Sequence, residues 1–142
     1  MDVTVATKNL SHQAVMAMLA GSVKKADEID QPQCIVVVDA GGVPLGELRM
    51  TGAKYLSRKS ARAKARTAAS IGAPSHAIPE SVRAAIAAAT GGDVTGLTGG
   101  LPILIDGVLL GGIGIGSGAP AQDLAVANAG LAAIGAQEFT SD

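Results

Sequence analysis

The side chains of this sequence able to move a proton near neutrality are few. His12 and His76 are its two histidines, and only they titrate in that range without a perturbed pKa. His12 falls in the first turn of a helix, where it reads as solvent-exposed. His76 precedes Ala77-Ile78-Pro79 in a loop beside a basic helix, a placement that suits an acid, a base or an axial metal ligand. Tyr55 is the sole phenol and follows Lys54; it either donates a proton or caps a pocket. No paired-histidine motif, CxxC or GxSxG elbow is present, so no metal site is expected.

A second set of residues suits anion binding. Gly116-Ser117-Gly118 closes an aliphatic run just before a helical pattern beginning near Pro120, and amides converge where a strand passes into a helix. Arg49, Lys64, Arg66 and Thr67, with Gly99 and Gly100, are the candidates to complete such a pocket. The plainer reading of Arg58, Arg62 and Arg66, spaced by four, is a solvated basic face on one helix. Gly114 to Ala119 matches a loose GxGxxA, but too little chain follows for a dinucleotide-binding unit, and no Gly-Lys-Ser/Thr makes it a P-loop.

The elements that must position these groups follow from apolar spacing. Leu101 to Ile105 and Val108 to Ile115 are separated only by Asp106-Gly107, a strong signal for a two-residue hairpin turn. Val3 and Val5 alternate with Asp2 and Thr4, which allows a short lead-in strand. Ser11 is a good N-cap for an amphipathic helix to about Glu28, ended by Asp30 to Pro32. Gln33 to Val38 reads as a strand covered on both faces, and Val43 to Met50 as its hairpin partner. On that partner Leu45, Glu47 and Arg49 share one face. An Ala-rich basic helix spans Tyr55 to Ile71, a loop covers Gly72 to Ile78, and a helix runs from Pro79 to about Ala89. A last helix covers Asp123 to Ile134, with a frayed tail from Gln137. This order predicts one α+β domain, residues 1–142, on an antiparallel sheet.

Composition narrows the function. Hydrophobic residues make up 48%, yet there is one Tyr, one Phe and no Trp, so the core is built of small pieces and benefits from a partner's surface. A net charge of −1 and the missing aromatics give no basis for nucleic-acid binding. No apolar run reaches the ~18 residues of a membrane span, and no signal-peptide pattern opens the chain, so a cytoplasmic protein that avoids membranes is expected. Cys34, the lone cysteine, lies in an apolar run and reads as buried and inert.

Val38-Asp39-Ala40-Gly41-Gly42, Leu48 to Ala53, Lys64-Ala65-Arg66-Thr67-Ala68-Ala69, Gly99 to Ile103 and Gly112-Ile113-Gly114 together resemble the GlcG/HbpS-like, or haem-degrading domain, family. That family also supplies the C-terminal domain of PduO-type corrinoid adenosyltransferases. Pro120, Gln122-Asp123 and Ala129 to Ala133 extend the resemblance over nearly the whole chain. It implies a profilin-like fold, a central antiparallel sheet with helices on both faces, and homo-oligomers: dimers, tetramers or octamers. Some relatives bind haem and some a corrinoid. Relatives commonly end the last strand in Val-Ser-Gly-Gly, where this chain has Ile115-Gly116-Ser117-Gly118.

The expected function is therefore an oligomeric protein binding a small anionic ligand, a carboxylate or a tetrapyrrole such as haem or a corrinoid, near a subunit interface. The alternative is a redox-cofactor-independent lyase, isomerase, hydratase or decarboxylase of a small organic acid. In it His76 or Tyr55 moves the proton, and Lys64 or Arg49 fixes the carboxylate. A purely structural module is the third reading.

Overall fold

The structure is a computed structural model, and it describes residues 1–139. Helix α1 (His12–Glu28) is followed by β1 (Cys34–Asp39) and β2 (Pro44–Arg49), then α2 (Ser57–Ile71) and α3 (Arg83–Ala89). Strands β3 (Gly100–Ile105) and β4 (Val108–Gly116) and helix α4 (Pro120–Ala132) complete the order. The four strands form one antiparallel sheet in the order β2-β1-β4-β3. Helices cover both faces, so the expected α+β class is what the chain adopts.

Local chemistry accounts for the element ends. Ser11 Oγ accepts from the Ala14 amide at 3.1 Å and starts α1. Asp106 and Gly107 turn the β3–β4 hairpin with φ of 51° and 75°, the left-handed pair that matches strand twist. Helix α2 begins two residues later than its composition suggests, because Lys54, Tyr55 and Leu56 form a tighter turn whose carbonyls accept from Ser57, Arg58 and Lys59. Pro79 initiates a 3₁₀ turn, Glu80–Val82, and the α-helical stretch starts only at Arg83.

Two expectations are corrected. The lead-in strand at Val3 to Val5 is absent: this segment has no regular structure, and the two valines are 85% and 82% exposed. Alternation makes a segment strand-competent, but a strand needs a partner, and none lies beside it in the chain. The tail from Gln137 is tethered rather than frayed. The Gln137 amide donates to Leu104 O at 2.9 Å, and the Asn128 carboxamide exchanges two hydrogen bonds with the Phe139 backbone. The rest of that tail, from Thr140, lies outside the described residues.

The two faces of the sheet are packed differently. On one, Ile35, Val37, Leu101, Ile103, Ile113 and Ile115 meet Val15 and Met18 of α1 and Leu124, Val126 and Leu131 of α4. On the other, Cys34, Val36 and Val38 meet Ala61, Ala65 and Ala69 of α2. Helix α2 also lies directly on β4, because every second residue of the strand there is glycine. A Cβ at Gly112 would strike Ala65 O, one at Gly114 would strike Ala61 O, and one at Gly116 would lie 2.8 Å from Ser57 O. Two residues of strand advance ~6.7 Å and four of helix ~6.0 Å, so three glycines keep step with three carbonyls. This close seat fixes α2 against the end of β4, where the site forms.

Candidate functional site

A buried ion pair anchors that end of the molecule. Lys64 of α2 donates from Nζ to Asp123 Oδ2 at 3.0 Å and to Ile115 O at 2.7 Å, and the two side chains are 6% and 3% exposed. The second carboxylate oxygen, Asp123 Oδ1, accepts from the Gly118 amide at 3.1 Å, while Gln122 Oε1 accepts from the Ala119 amide at 2.8 Å. Two turn amides that composition offered to an external anion thus bond to side chains of α4. Gly99 has φ of +123°, and a Cβ there would sit 3.2 Å from Lys64 Nζ; glycine at this position leaves room for the pair.

Outside this pair lies a groove of about 280 Å³ lined by Lys54, Ser57, Ser60, Lys64, Thr98, Ser117 and Asp123 among others. It shares Lys54, Ser57 and Ser60 with a more apolar groove of about 470 Å³ that adds Tyr55 and Leu56. Lys64 and Asp123 neutralise one another, so the exposed Lys54 is the uncompensated cation among the described lining residues. The start of α2 adds the partial positive charge of its dipole. Tyr55 and Leu56 are 65% and 61% exposed. The result is an open surface with a cationic, hydroxyl-rich end and an apolar end.

Backbone strain is concentrated at Ser117, a non-glycine residue at φ +99°. Its Oγ accepts from the Lys54 amide at 3.0 Å, and its carbonyl accepts from Gln31 Nε2 at 3.3 Å. These bonds tie the β4–α4 turn to the approach to α2 and to the α1–β1 connection, and hold a conformation that costs about 1–3 kcal/mol. Behind the turn, Gln33 is fully buried and both polar atoms of its carboxamide lack a partner among the described residues. Cys34 is buried beside it in sequence, and its thiol donates to Lys54 O at 3.5 Å. Burial pushes the Cys34 thiol above its ordinary value, against the pull of the Arg49 and Arg58 charges.

The groove therefore gathers Lys64, Ser117 and Gly118, with Gly99, Gly100 and Gly116 forming the close-packed floor behind them. Other candidates lie elsewhere. Arg49 sits on β2 opposite Cys34 and lines a separate cavity with Leu48 and Met50. Arg66 donates to Gly42 O and Asp93 Oδ1, both at 3.0 Å, beside the β1–β2 turn. Thr67 is buried and bonds to the Ala63 and Asp93 carbonyls and the Thr95 amide, a structural knot. Arg58 and Arg62 both bond to Glu47, so the arginine stripe clamps α2 to β2. Tyr55, by contrast, lines the apolar end of the groove; His76 lies in the Ser75–Ala77 turn with its Nδ1 buried and without a partner among the described residues. Sequence reasoning missed Gln33, Ser57 and Ser60, which belong to no motif that marks them, and it named Asp123 only within the family resemblance, with no role at the site.

The family described as "Haem degrading protein HbpS-like" matches residues 10–132. Corrinoid adenosyltransferase PduO of Citrobacter freundii is 32% identical over 131 residues, 89% of this chain. The chain spans 39% of the length of that relative. Protein ORFY of Klebsiella pneumoniae superposes with a TM-score of 0.90 at 27% identity, covering 97% of this chain and 99% of that one. A PduOC:heme complex superposes with a TM-score of 0.85 at 28% identity, covering 94% and 100%. No helix among the described residues is long and apolar enough to cross a membrane. With its four-stranded antiparallel sheet flanked by helices and a family match over residues 10–132, the chain belongs to the HbpS-like family.

Proposed function

We propose that this chain is an oligomeric ligand-binding protein that takes a small carboxylate or a tetrapyrrole, haem or corrinoid, in the groove at the start of α2. The observation that carries this reading is the groove's division into a polar end at Lys54, Ser57, Ser60 and Ser117 and an apolar end at Tyr55 and Leu56. A tetrapyrrole is a flat apolar ring bearing carboxylates at its rim, and a small organic acid needs only the polar end. Lys54 would receive the carboxylate, with the Ser57 and Ser60 hydroxyls as donors, while Tyr55 and Leu56 would cover the ring. A bound haem would supply redox chemistry at its iron, and the Tyr55 phenol would be the oxygen donor that the apolar end offers it. The heme complex of the PduOC relative supports the tetrapyrrole branch. Tyr55, Leu56 and Leu97, 65%, 61% and 56% exposed, rim the grooves, which suits a place near a subunit interface.

The test is a titration with haemin followed by its Soret band, beside calorimetry with a panel of small carboxylic acids. Binding that weakens about tenfold or more in Lys54→Ala and Leu56→Glu supports the reading. Unchanged affinity for every ligand in both variants overturns it. The enzymatic alternative, a redox-cofactor-independent lyase, isomerase, hydratase or decarboxylase, rests on Tyr55 standing beside Lys54 in the groove. Turnover of a small acid that Tyr55→Phe abolishes while binding persists would favour it.

A further inference from the structure

We propose that the N-terminal arm, Asp2 to Val5, is a β-strand that completes the sheet of a second copy of this chain by adding to the open edge of β2. The proposal is independent of the ligand reading, since the β2 edge does not line the groove.

The arm has the pattern of a strand and no place in its own sheet. Val3 and Val5 alternate with Asp2 and Thr4, yet the two valines are 85% and 82% exposed. The sheet has two edges, and they differ. On β3 the Gln137 amide bonds to Leu104 O, so the tail occupies that end of the edge. On β2 no chain segment pairs with the outer side among the described residues. The Met50 amide bonds inward to Gln33 O, so by alternation the backbone groups of Glu47 and Arg49 point outward. An open row of this kind is a template for another strand.

One antiparallel register satisfies both sequences. Setting Asp2 opposite Arg49 places Val3 by Leu48, Thr4 by Glu47 and Val5 by Gly46. Arg49 has no ion-pair partner among the described residues, and Asp2 supplies one. Leu48 is 39% exposed at a cavity of about 380 Å³ that it shares with Val23 and Met50, and Val3 would fill its outer wall. At Gly46 the side chains of Val15 and Leu19 of α1 fill the place a Cβ would take, an apolar wall for Val5 to lie beside. Beyond Gly46 the strand bulges at Leu45, where the register shifts, and pairing stops. In the single chain the arm pairs with no strand and its valines stay exposed, and the occupant we assign to the edge is a second copy. Two copies exchanging arms bury the same patch twice, the isologous arrangement of a two-fold dimer.

Val3 and Leu48 would form a pair without mutual backbone hydrogen bonds, whose Cβ atoms approach closely enough for a disulfide. The test is the full chain carrying Val3→Cys and Leu48→Cys, oxidised mildly and run without reductant, with each single variant as control. A disulfide-linked dimer that dithiothreitol reverses, absent from both controls, is the expected result. A cross-link within one chain, or none, overturns the proposal. In the chain without added cysteines, Asp2→Arg should weaken dimerisation about threefold to tenfold in sedimentation, and Asp2→Arg with Arg49→Asp should restore it. Asp2 and Arg49 are both exposed, so these changes leave the fold intact. Equal dimerisation in all three chains overturns the pairing.

Discussion

Lys64 Nζ lies 3.0 Å from Asp123 Oδ2, with both side chains almost wholly removed from solvent. The pair joins the middle of α2 to the first turn of α4 across the end of β4, and it sets the floor of the candidate groove. Removing one member leaves a buried charge without its counterion. Lys64→Met or Asp123→Leu alone should cost about 3–5 kcal/mol in urea unfolding, and the double variant should recover much of that loss. Equal costs that simply add would show that the two side chains act separately.

Gly114 faces Ala61 O with no room for a methyl group, and backbone lies on both sides of the contact. Gly114→Ala should push α2 off the sheet and destabilise the chain by about 3 kcal/mol or more. Gly72→Ala is the control: a Cβ there meets nothing within 4 Å, and its φ of +64° confines the cost to about 1 kcal/mol. Thermal unfolding of both variants distinguishes close approach from loss of backbone freedom.

Glu47 carries the clearest pH dependence. Partial burial raises its pKa, but hydrogen bonds from Arg62 and Arg58 outweigh that and hold it below its ordinary value of 4.5. The unfolded chain therefore takes up this proton at higher pH than the folded one. The stabilisation is fully present above pH 4.5 and is lost as pH falls through the folded value. Glu47→Gln should flatten the fall in unfolding free energy below that pH while changing its slope little near neutrality.

Ser117 separates strain from hydrogen bonding. Ser117→Gly removes the cost of φ +99° and also the Oγ bond to the Lys54 amide, two effects that offset to within about 1 kcal/mol. Ser117→Ala keeps the strain and loses the bond, so it should be the less stable of the two by about 1 kcal/mol. Amide exchange at Lys54 should quicken in both.

Much of the fold was legible before the structure because its signals are local. Ser11 caps α1 through its own hydroxyl, Asp106-Gly107 can turn only a narrow set of hairpins, and the β-branched run at Cys34 to Val38 suits a strand buried on both faces. The strand anticipated at Val3 and Val5 failed on a nonlocal condition, a neighbour to pair with. The frayed tail failed the same way, since Asn128 holds Phe139 from eleven residues away.

The candidate site was half legible. Composition marked Lys64, Ser117 and Gly118 as worth bringing together, and the fold does so. It also sends Arg49 to another cavity and Arg66 to the β1–β2 turn, and hands Lys64 to Asp123. What the sequence by itself determined was the order of elements and the small residues that let α2 lie on β4, because periodicity and side-chain size act along the chain. Which cation meets which carboxylate was decided only by tertiary structure. Lys64 and Asp123 are 59 residues apart, and nothing in their local sequence distinguishes a charge that faces a ligand from one already neutralised.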